Sequence, residues 1–154
     1  MSKPRDPLLS CTCFKLRKAT RALSRVYDQH LARAGLKTTQ YSVLVNAGRA
    51  ALPLAELADK LGLERTTLTR NLKPLIEAGW IVLAAGADSR QRIVTITAAG
   101  RAKVAEAYPV WRAAQFAVEQ AVGPAALQTL HGQLDRAMRS LTPLIEDLHH
   151  ADPD

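Results

Sequence analysis

Between Leu54 and Thr97 the spacing of apolar residues switches from helical to alternating. Leu54, Leu57, Ala58 and Leu61 recur at helical spacing, with Glu56, Asp59 and Lys60 on the other side. Pro53 suits a first helical turn, where a missing N–H costs nothing. Gly62 suits the left-handed conformation that closes a helix, and the tight angle of a helix-turn-helix leaves little room for a side chain there. Leu63 should plug the core between the two helices. Glu64 starts the second helix, where a carboxylate favours the positive end of the macrodipole. That helix is expected from about Arg65 to Ala78, burying Leu68, Leu72, Leu75 and Ile76 before Gly79 ends it. Trp80 to Leu83 form an apolar, β-prone run, and Gly86, Asp88 and Ser89 mark a turn. From Arg92 to Thr97, Ile93 and Thr95 take one face and Val94 and Ile96 the other. Thr97 suits the N-cap of a further helix. The order is that of a helix-turn-helix followed by a two-stranded wing.

The flanks read as helices. A first helix is expected from about Ser10 to Ala34, packing through Phe14, Leu16, Leu23, Val26, Tyr27, His30 and Leu31, and ending at Gly35. Thr38 or Thr39 should cap the next, which carries Tyr41, Val43, Leu44 and Val45. After Thr97 a long helix runs to about Val122, kinked at Pro109. Gly123-Pro124 marks a break. A last helix carries Leu127, Leu130, Leu134, Ala137, Met138 and Leu141 at spacings of three and four. A small lobe has too little surface to cover these terminal stripes, so burial against a second copy is expected; folding back on the lobe is the alternative. The predicted fold is mainly α with a small β-hairpin wing. A single domain spans 8–148, with a winged helix-turn-helix lobe at 36–100 and dimerisation helices at 8–34 and 101–148. Flexible ends are expected at 1–7 and 149–154.

The second helix of the lobe carries the chemistry. Its polar face presents Arg65, Thr66, Thr69, Arg70 and Lys73, with Thr67 near the edge and no acid between Arg65 and Lys73. Long cations reach guanine edges or phosphates, and short hydroxyls sit close to bases, thymine methyls and phosphates. A charge run alone is usually a solvated face. The preceding helix, the glycine turn and the hairpin shift the reading to duplex DNA. Arg90 at the hairpin tip can enter a narrow minor groove, and Arg92 joins it on the returning strand. Asp88 should orient an arginine or cap the turn.

Composition agrees with one domain: 154 residues, of which 47% are hydrophobic. The net charge of +7 is uneven, being +7 over residues 1–37, +2 over 38–100 and −2 over 101–154. The basic leader therefore adds phosphate contacts or keeps a helix soluble. No segment approaches the ~20 apolar residues that span a bilayer, and no apolar core follows the charged start. A cytoplasmic protein with no membrane partner is expected. No G-x-S-x-G, P-loop, H-E-x-x-H or G-x-G-x-x-G occurs, so no enzyme and no cofactor are implied.

These residues match a family. The chain resembles the MarR-type bacterial transcriptional regulators in LKTTQYSVL (Leu36–Leu44), LAELADKLGLERTTLTRNLKPLIEAGWI (Leu54–Ile81), DSRQRIVTIT (Asp88–Thr97) and TAAGRA (Thr97–Ala102). The resemblance implies an obligate homodimer on a pseudo-palindromic operator in double-stranded DNA, released by a small ligand or an oxidant. It places an effector pocket between the DNA lobe and the dimer helices. The candidates to line it are Tyr27, His30, Tyr41, Trp111 and Arg112, which would suit a small phenolic or carboxylate effector. Each has a plainer role: Tyr27 and Tyr41 as core, Trp111 as interface packing, Arg112 as a surface charge, His30 in a local hydrogen bond. The implied function is a sequence-specific DNA-binding regulator, a homodimeric repressor released by an effector. A winged-helix protein-interaction module without specific DNA binding is the alternative from a different class.

Cys11 and Cys13 form a C-x-C pair, which is too narrow and too isolated for a zinc site, so no metal is expected. Within the family, Cys13-Phe14 followed by Leu16 resembles the start of the first helix in the organic-peroxide-sensing branch. There a cysteine at this place is oxidised and tyrosines hold its thiol. Tyr27 matches one of those tyrosines, but Arg17 and Thr38 stand at the other two places. A redox-sensing regulator of the same fold is thus a further alternative. The plain reading of both cysteines is small buried hydrophobes near the subunit interface.

Overall fold

Several helix ends and the pairing of the two predicted wing strands follow the local signals. The computed structural model describes residues 7–88 and 91–151. Its elements are α1 (Pro7–Ser10), α2 (Thr12–Leu31), a 3₁₀ turn (Ala32–Ala34), α3 (Thr38–Arg49), β1 (Leu52–Pro53), α4 (Leu54–Leu61), α5 (Arg65–Glu77), β2 (Ile81–Ala85), β3 (Arg92–Ile96), α6 (Ala98–Val122) and α7 (Pro124–Ala151). The chain divides into two compact units, one through Gln115 and one from Phe116 onward. Of the ends expected to be flexible, Met1–Asp6 and Asp152–Asp154 lie outside the described residues. Pro7 opens α1, and residues 149–151 continue α7.

In the first unit, α3, α4 and α5 pack with the sheet around one core. Leu31, Val43, Leu44, Leu57, Leu68, Leu72, Leu75, Ile81 and Val94 are fully enclosed. Each such side chain contributes about 1.5–3 kcal/mol relative to exposure. The wing is a three-stranded antiparallel sheet in the order β1-β3-β2, not a simple hairpin. Leu52 pairs with Val94 and Pro53 with Ile93. On the other side β2 pairs from Ile81↔Ile96 to Ala85↔Arg92. Val94 is therefore covered on both flanks, by Leu52 and Leu83, while Val82 and Leu83 on the edge strand remain exposed.

Four expectations need correction. The first helix is not continuous from Ser10: Cys11 is extended (ψ 111°), and its Sγ accepts the Phe14 N–H at 3.5 Å as the N-cap of α2. Neither Thr38 nor Thr39 caps α3. Lys37 is its N-cap, and the first turn is tied from outside, because the amide and hydroxyl of Thr38 both donate to Asp28 Oδ1 at 2.7 Å. The reading helix stops at Glu77, with Ala78 as its C-cap. Ile76 is 37% exposed rather than buried, since no element covers that side of the last turn as Leu72 and Leu75 are covered.

The second unit begins within α6. Gly123 breaks the backbone with a φ of 92°, and α7 follows as a helix to Ala151. Val118 and Leu127 are buried, whereas Leu130, Leu134, Met138, Leu141, Leu144 and Ile145 are exposed.

Candidate nucleic-acid interface

The turn between α4 and α5 aims the reading helix. Gly62 takes φ 63°, its N–H donates to the Asp59 carbonyl at 3.0 Å, and the Leu63 N–H reaches the Ala58 carbonyl at 2.9 Å. This pair of bonds closes α4 and delivers half-buried Leu63 to the core. Glu64 then leads into α5 in extended conformation, making no side-chain cap bond. With Leu68, Leu72 and Leu75 locked inside, the helical period leaves Arg65, Thr66, Thr69, Arg70 and Lys73 exposed. Thr67 is half-buried at the margin.

The fold adds to this face what the sequence could not. Thr66, Thr69, Arg70 and Lys73 of α5 share one hollow of about 650 Å³ with Arg92 of β3. Leu54, Leu72, Ile76 and Leu83 supply its apolar lining, and Glu77 borders it as well. The exposure of Ile76 is thus explained by a place in this hollow. A second hollow, of about 250 Å³, is lined by Arg65, Gln91 and Arg92 with Pro53, Leu54 and Ala55. Arg92 borders both and links the wing to the helix. Lys73 lies 4.0 Å from Glu77 in a largely exposed i,i+4 pair. The Thr69 hydroxyl donates to the Arg65 carbonyl at 2.8 Å, leaving its lone pairs outward. Among the described residues, Arg65, Arg70 and Arg92 have no acidic partner. Cations held this way over an apolar floor suit a polyanion with flat, partly apolar edges, as in a DNA groove.

The wing's turn closes through Gly86 N–H to the Gln91 carbonyl at 3.0 Å and Gln91 N–H to the Asp88 carbonyl at 2.9 Å. Asp88 therefore has at least a backbone role in the turn. Arg90 lies outside the described residues. At the base of the wing, the Thr97 hydroxyl donates to the Gly79 carbonyl at 2.7 Å and accepts the Gly100 N–H at 3.0 Å. Gly100 sits so close to the Trp80 carbonyl that an added Cβ would lie 2.2 Å from it. The T-x-x-G spacing is thus a physical requirement: the Thr caps α6 and the Gly lets α6 approach the α5–β2 junction.

Of the effector candidates, the structure joins Tyr41 and Trp111, whose rings stack at 6.1 Å between centroids. Tyr108, not singled out from sequence, stacks on Trp111 at 5.9 Å between centroids. Burial, and then the neighbouring Tyr108, raise the Tyr41 phenol above its ordinary pKa. The Tyr27 hydroxyl donates to the Gln115 side-chain carbonyl. His30 Nδ1 lies 2.9 Å from the Val26 carbonyl of its own helix. Arg112 is exposed. Cys11 and Cys13 are free thiols, with Cys13 exposed. With Phe14, Arg17 and Arg21 they line a hollow of about 390 Å³. Among the described residues no group of three His, Cys, Asp or Glu could hold a metal ion, and no helix is long and apolar enough to cross a membrane.

Comparison with known proteins agrees with this geometry. The MarR family model matches residues 34–91. The HTH-type transcriptional regulator YwoH of Bacillus subtilis (strain 168), itself uncharacterised, is 30% identical over 94 residues, covering 60% of this chain and 68% of the relative. The crystal structure of the M. tuberculosis transcriptional regulator MosR in complex with DNA is 37% identical, with a TM-score of 0.73 over 85% of this chain and 98% of that one. CouR from Rhodococcus jostii RHA1, bound to p-coumaroyl-CoA, shares the fold at 21% identity, with a TM-score of 0.70 over 84% of this chain and 92% of that one. With its winged helix, its cationic reading face and these relatives, the chain belongs to the MarR family: it is a DNA-binding transcriptional regulator and not an enzyme.

Proposed function

We propose that this chain is a cytoplasmic, homodimeric repressor that reads a pseudo-palindromic operator and leaves it when a small effector binds. The observation that carries the reading is the single hollow in which Thr66, Thr69, Arg70, Lys73 and Arg92 converge. In this reading Arg65, Thr66, Thr67, Thr69, Arg70 and Lys73 enter the major groove, and Arg92 and Arg90 follow the wing into the minor groove. Exposed Phe14, Leu16 and Leu23 on α2, and Leu130, Leu134 and Met138 on α7, supply the apolar area a second copy would cover. Two reading helices on one side of the duplex then require half-sites about one turn apart, ~34–36 Å. A phenolic or carboxylate effector near Tyr41 and Trp111 would favour a spacing of lobes that misses successive grooves. CouR, of the same fold, binds an aromatic acyl-CoA.

Selection of bound duplexes, followed by salt titration, tests the reading. Operator affinity should fall steeply as salt rises, with a slope set by the phosphates contacted. Arg70→Ala should cost ~1–3 kcal/mol and relax preference at one base pair. Equal affinity for random and selected duplexes would defeat the proposal.

The hollow around Cys13 supports a second mode of release. In this mode the exposed Cys13 sulfur attacks a peroxide oxygen; an S–O bond forms, the O–O bond breaks, and the departing alkoxide takes up the thiol proton. Peroxide should then abolish operator binding, and Cys13→Ser should keep it. An unchanged peroxide response in that variant removes this mode.

A further inference from the structure

Lys103 stands where three parts of the first unit meet. Its ammonium donates to the Ala34 carbonyl at 3.0 Å and to both carboxylate oxygens of Glu106, each at 3.0 Å. It also lies over the Trp80 ring, 5.1 Å from the centroid. Its side chain is only 16% exposed, against 59% for Glu106. Ala34 ends the 3₁₀ turn that follows α2. Trp80 joins α5 to β2: its N–H donates to the Leu75 carbonyl at 2.9 Å, and its carbonyl accepts the Thr97 N–H at 3.0 Å. One cation therefore touches the 3₁₀ turn after α2, the first half of α6 and the residue that joins α5 to β2.

A largely buried charge is costly unless each partner is in place. Here the Ala34 carbonyl lies at the negative end of a helical segment, which favours a cation. The indole face attracts it through its quadrupole, and hydrated Glu106 balances the charge. An apolar side chain would fill the same space at lower desolvation cost. What the ammonium adds is direction, since its hydrogen bond fixes α2 against α6 and its place over the ring fixes both against Trp80. The backbone of Trp80 is already clamped to α6 by Thr97 and by the close approach of Gly100. Lys103 extends that clamp to α2. Arg101, two residues earlier, makes one exposed bond, to the Gly48 carbonyl of α3 at 3.1 Å.

We propose that Lys103 is a positioning residue for DNA reading. Acting through Trp80, it fixes the direction of α5 and the wing relative to α2 and α6. In the homodimer, on which this inference rests, it thereby sets the half-site separation the protein accepts. A displacement of α2 or α6 by an effector would reach the reading helix through this contact.

The test uses the full chain, with Lys103→Met to remove the charge and keep the stem, and Lys103→Arg to keep the charge. The probes are duplexes recovered by selection with the wild type, presented as single half-sites and as palindromes whose separation is varied by single base pairs. The wild type should prefer one separation by ~10-fold or more, and Lys103→Met should reduce that preference to ~3-fold or less while changing single half-site affinity by under ~2-fold. Lys103→Arg should restore the preference. In fluorotryptophan-labelled protein, the fluorine resonance of Trp80 should move in Lys103→Met and that of Trp111 should not. An intact preference, an unmoved Trp80 resonance, or no recovery with Arg overturns the proposal. So does an equal loss on single half-sites, which would make Lys103 a support of the lobe alone. A wild type indifferent to separation defeats the dimer reading itself, and the spacing role with it.

Discussion

Helices α5 and α7 carry the same kind of pattern and meet opposite fates. On α5, Leu68, Leu72 and Leu75 recur at helical spacing and are enclosed by α3, α4 and the sheet. On α7, Leu130, Leu134, Met138 and Leu141 recur at the same spacing and are exposed, Met138 by 59%. The amphipathic period states that a face wants cover but not what covers it. For α5 the cover is this chain. For α7 it is, in the reading proposed here, a second copy. The polar faces differ as well: that of α5 is cationic and free of acids from Arg65 to Lys73, whereas α7 mixes Arg136 and Arg139 with Asp135 and Glu146. In the proposed reading, one helix reads an anion and the other holds a scaffold.

The sharpest way to break this contrast is to truncate both stripes. Leu72→Ala should cost ~2–5 kcal/mol of stability at every protein concentration, because it opens a cavity inside one chain. In the proposed dimer, Leu134→Ala should weaken self-association and lower the melting temperature most where dilution takes the variant, but not the wild type, to monomer. Thermal unfolding over a wide concentration range decides it. A concentration-independent loss in Leu134→Ala would show that α7 is not covered by self-association.

A smaller effect sharpens the picture within the lobe. Thr97→Ala removes the bond to the Gly79 carbonyl and the cap of Gly100, and should cost ~0.5–2 kcal/mol. Unlike Leu134→Ala, it should do so equally at all concentrations in chemical denaturation.

The smallest effect is a pH dependence. The Tyr41 phenol is raised above its usual 10.0 in the folded chain, first by burial. The neutral form is thus favoured by folding. Stability from this group is fully present below the unfolded value and is lost as pH rises through the folded one. Denaturation should therefore show no Tyr41-dependent slope below about pH 10 and a decline in stability above it, absent in Tyr41→Phe.

Much of the site is written in local signals. Gly62 and Gly79 end helices at positive φ, and the period-3.6 stripe of α5 by itself turns Arg65, Arg70 and Lys73 outward. Thr97 caps α6 as its type suggests. The misses have one cause. A two-residue strand containing Pro53 leaves no alternation to detect, and β1 exists only because β3 passes beside it. The bonds that tie Thr38 in the first turn of α3 come from Asp28, ten residues away on another helix. Ile76 fits the apolar period as well as Leu75 does; only the arrangement of neighbours decides that one is enclosed and the other floors a hollow.

The sequence by itself determined the element order, the helix-ending glycines and the outward cations, because those depend on backbone sterics and periodicity within a few residues. Tertiary structure alone decided that Arg92 and Arg70 line one hollow, and that Ala34 and Trp80 converge on Lys103. Residues far apart in the chain are brought together by packing, and a pattern read along one dimension holds no record of which surfaces will meet.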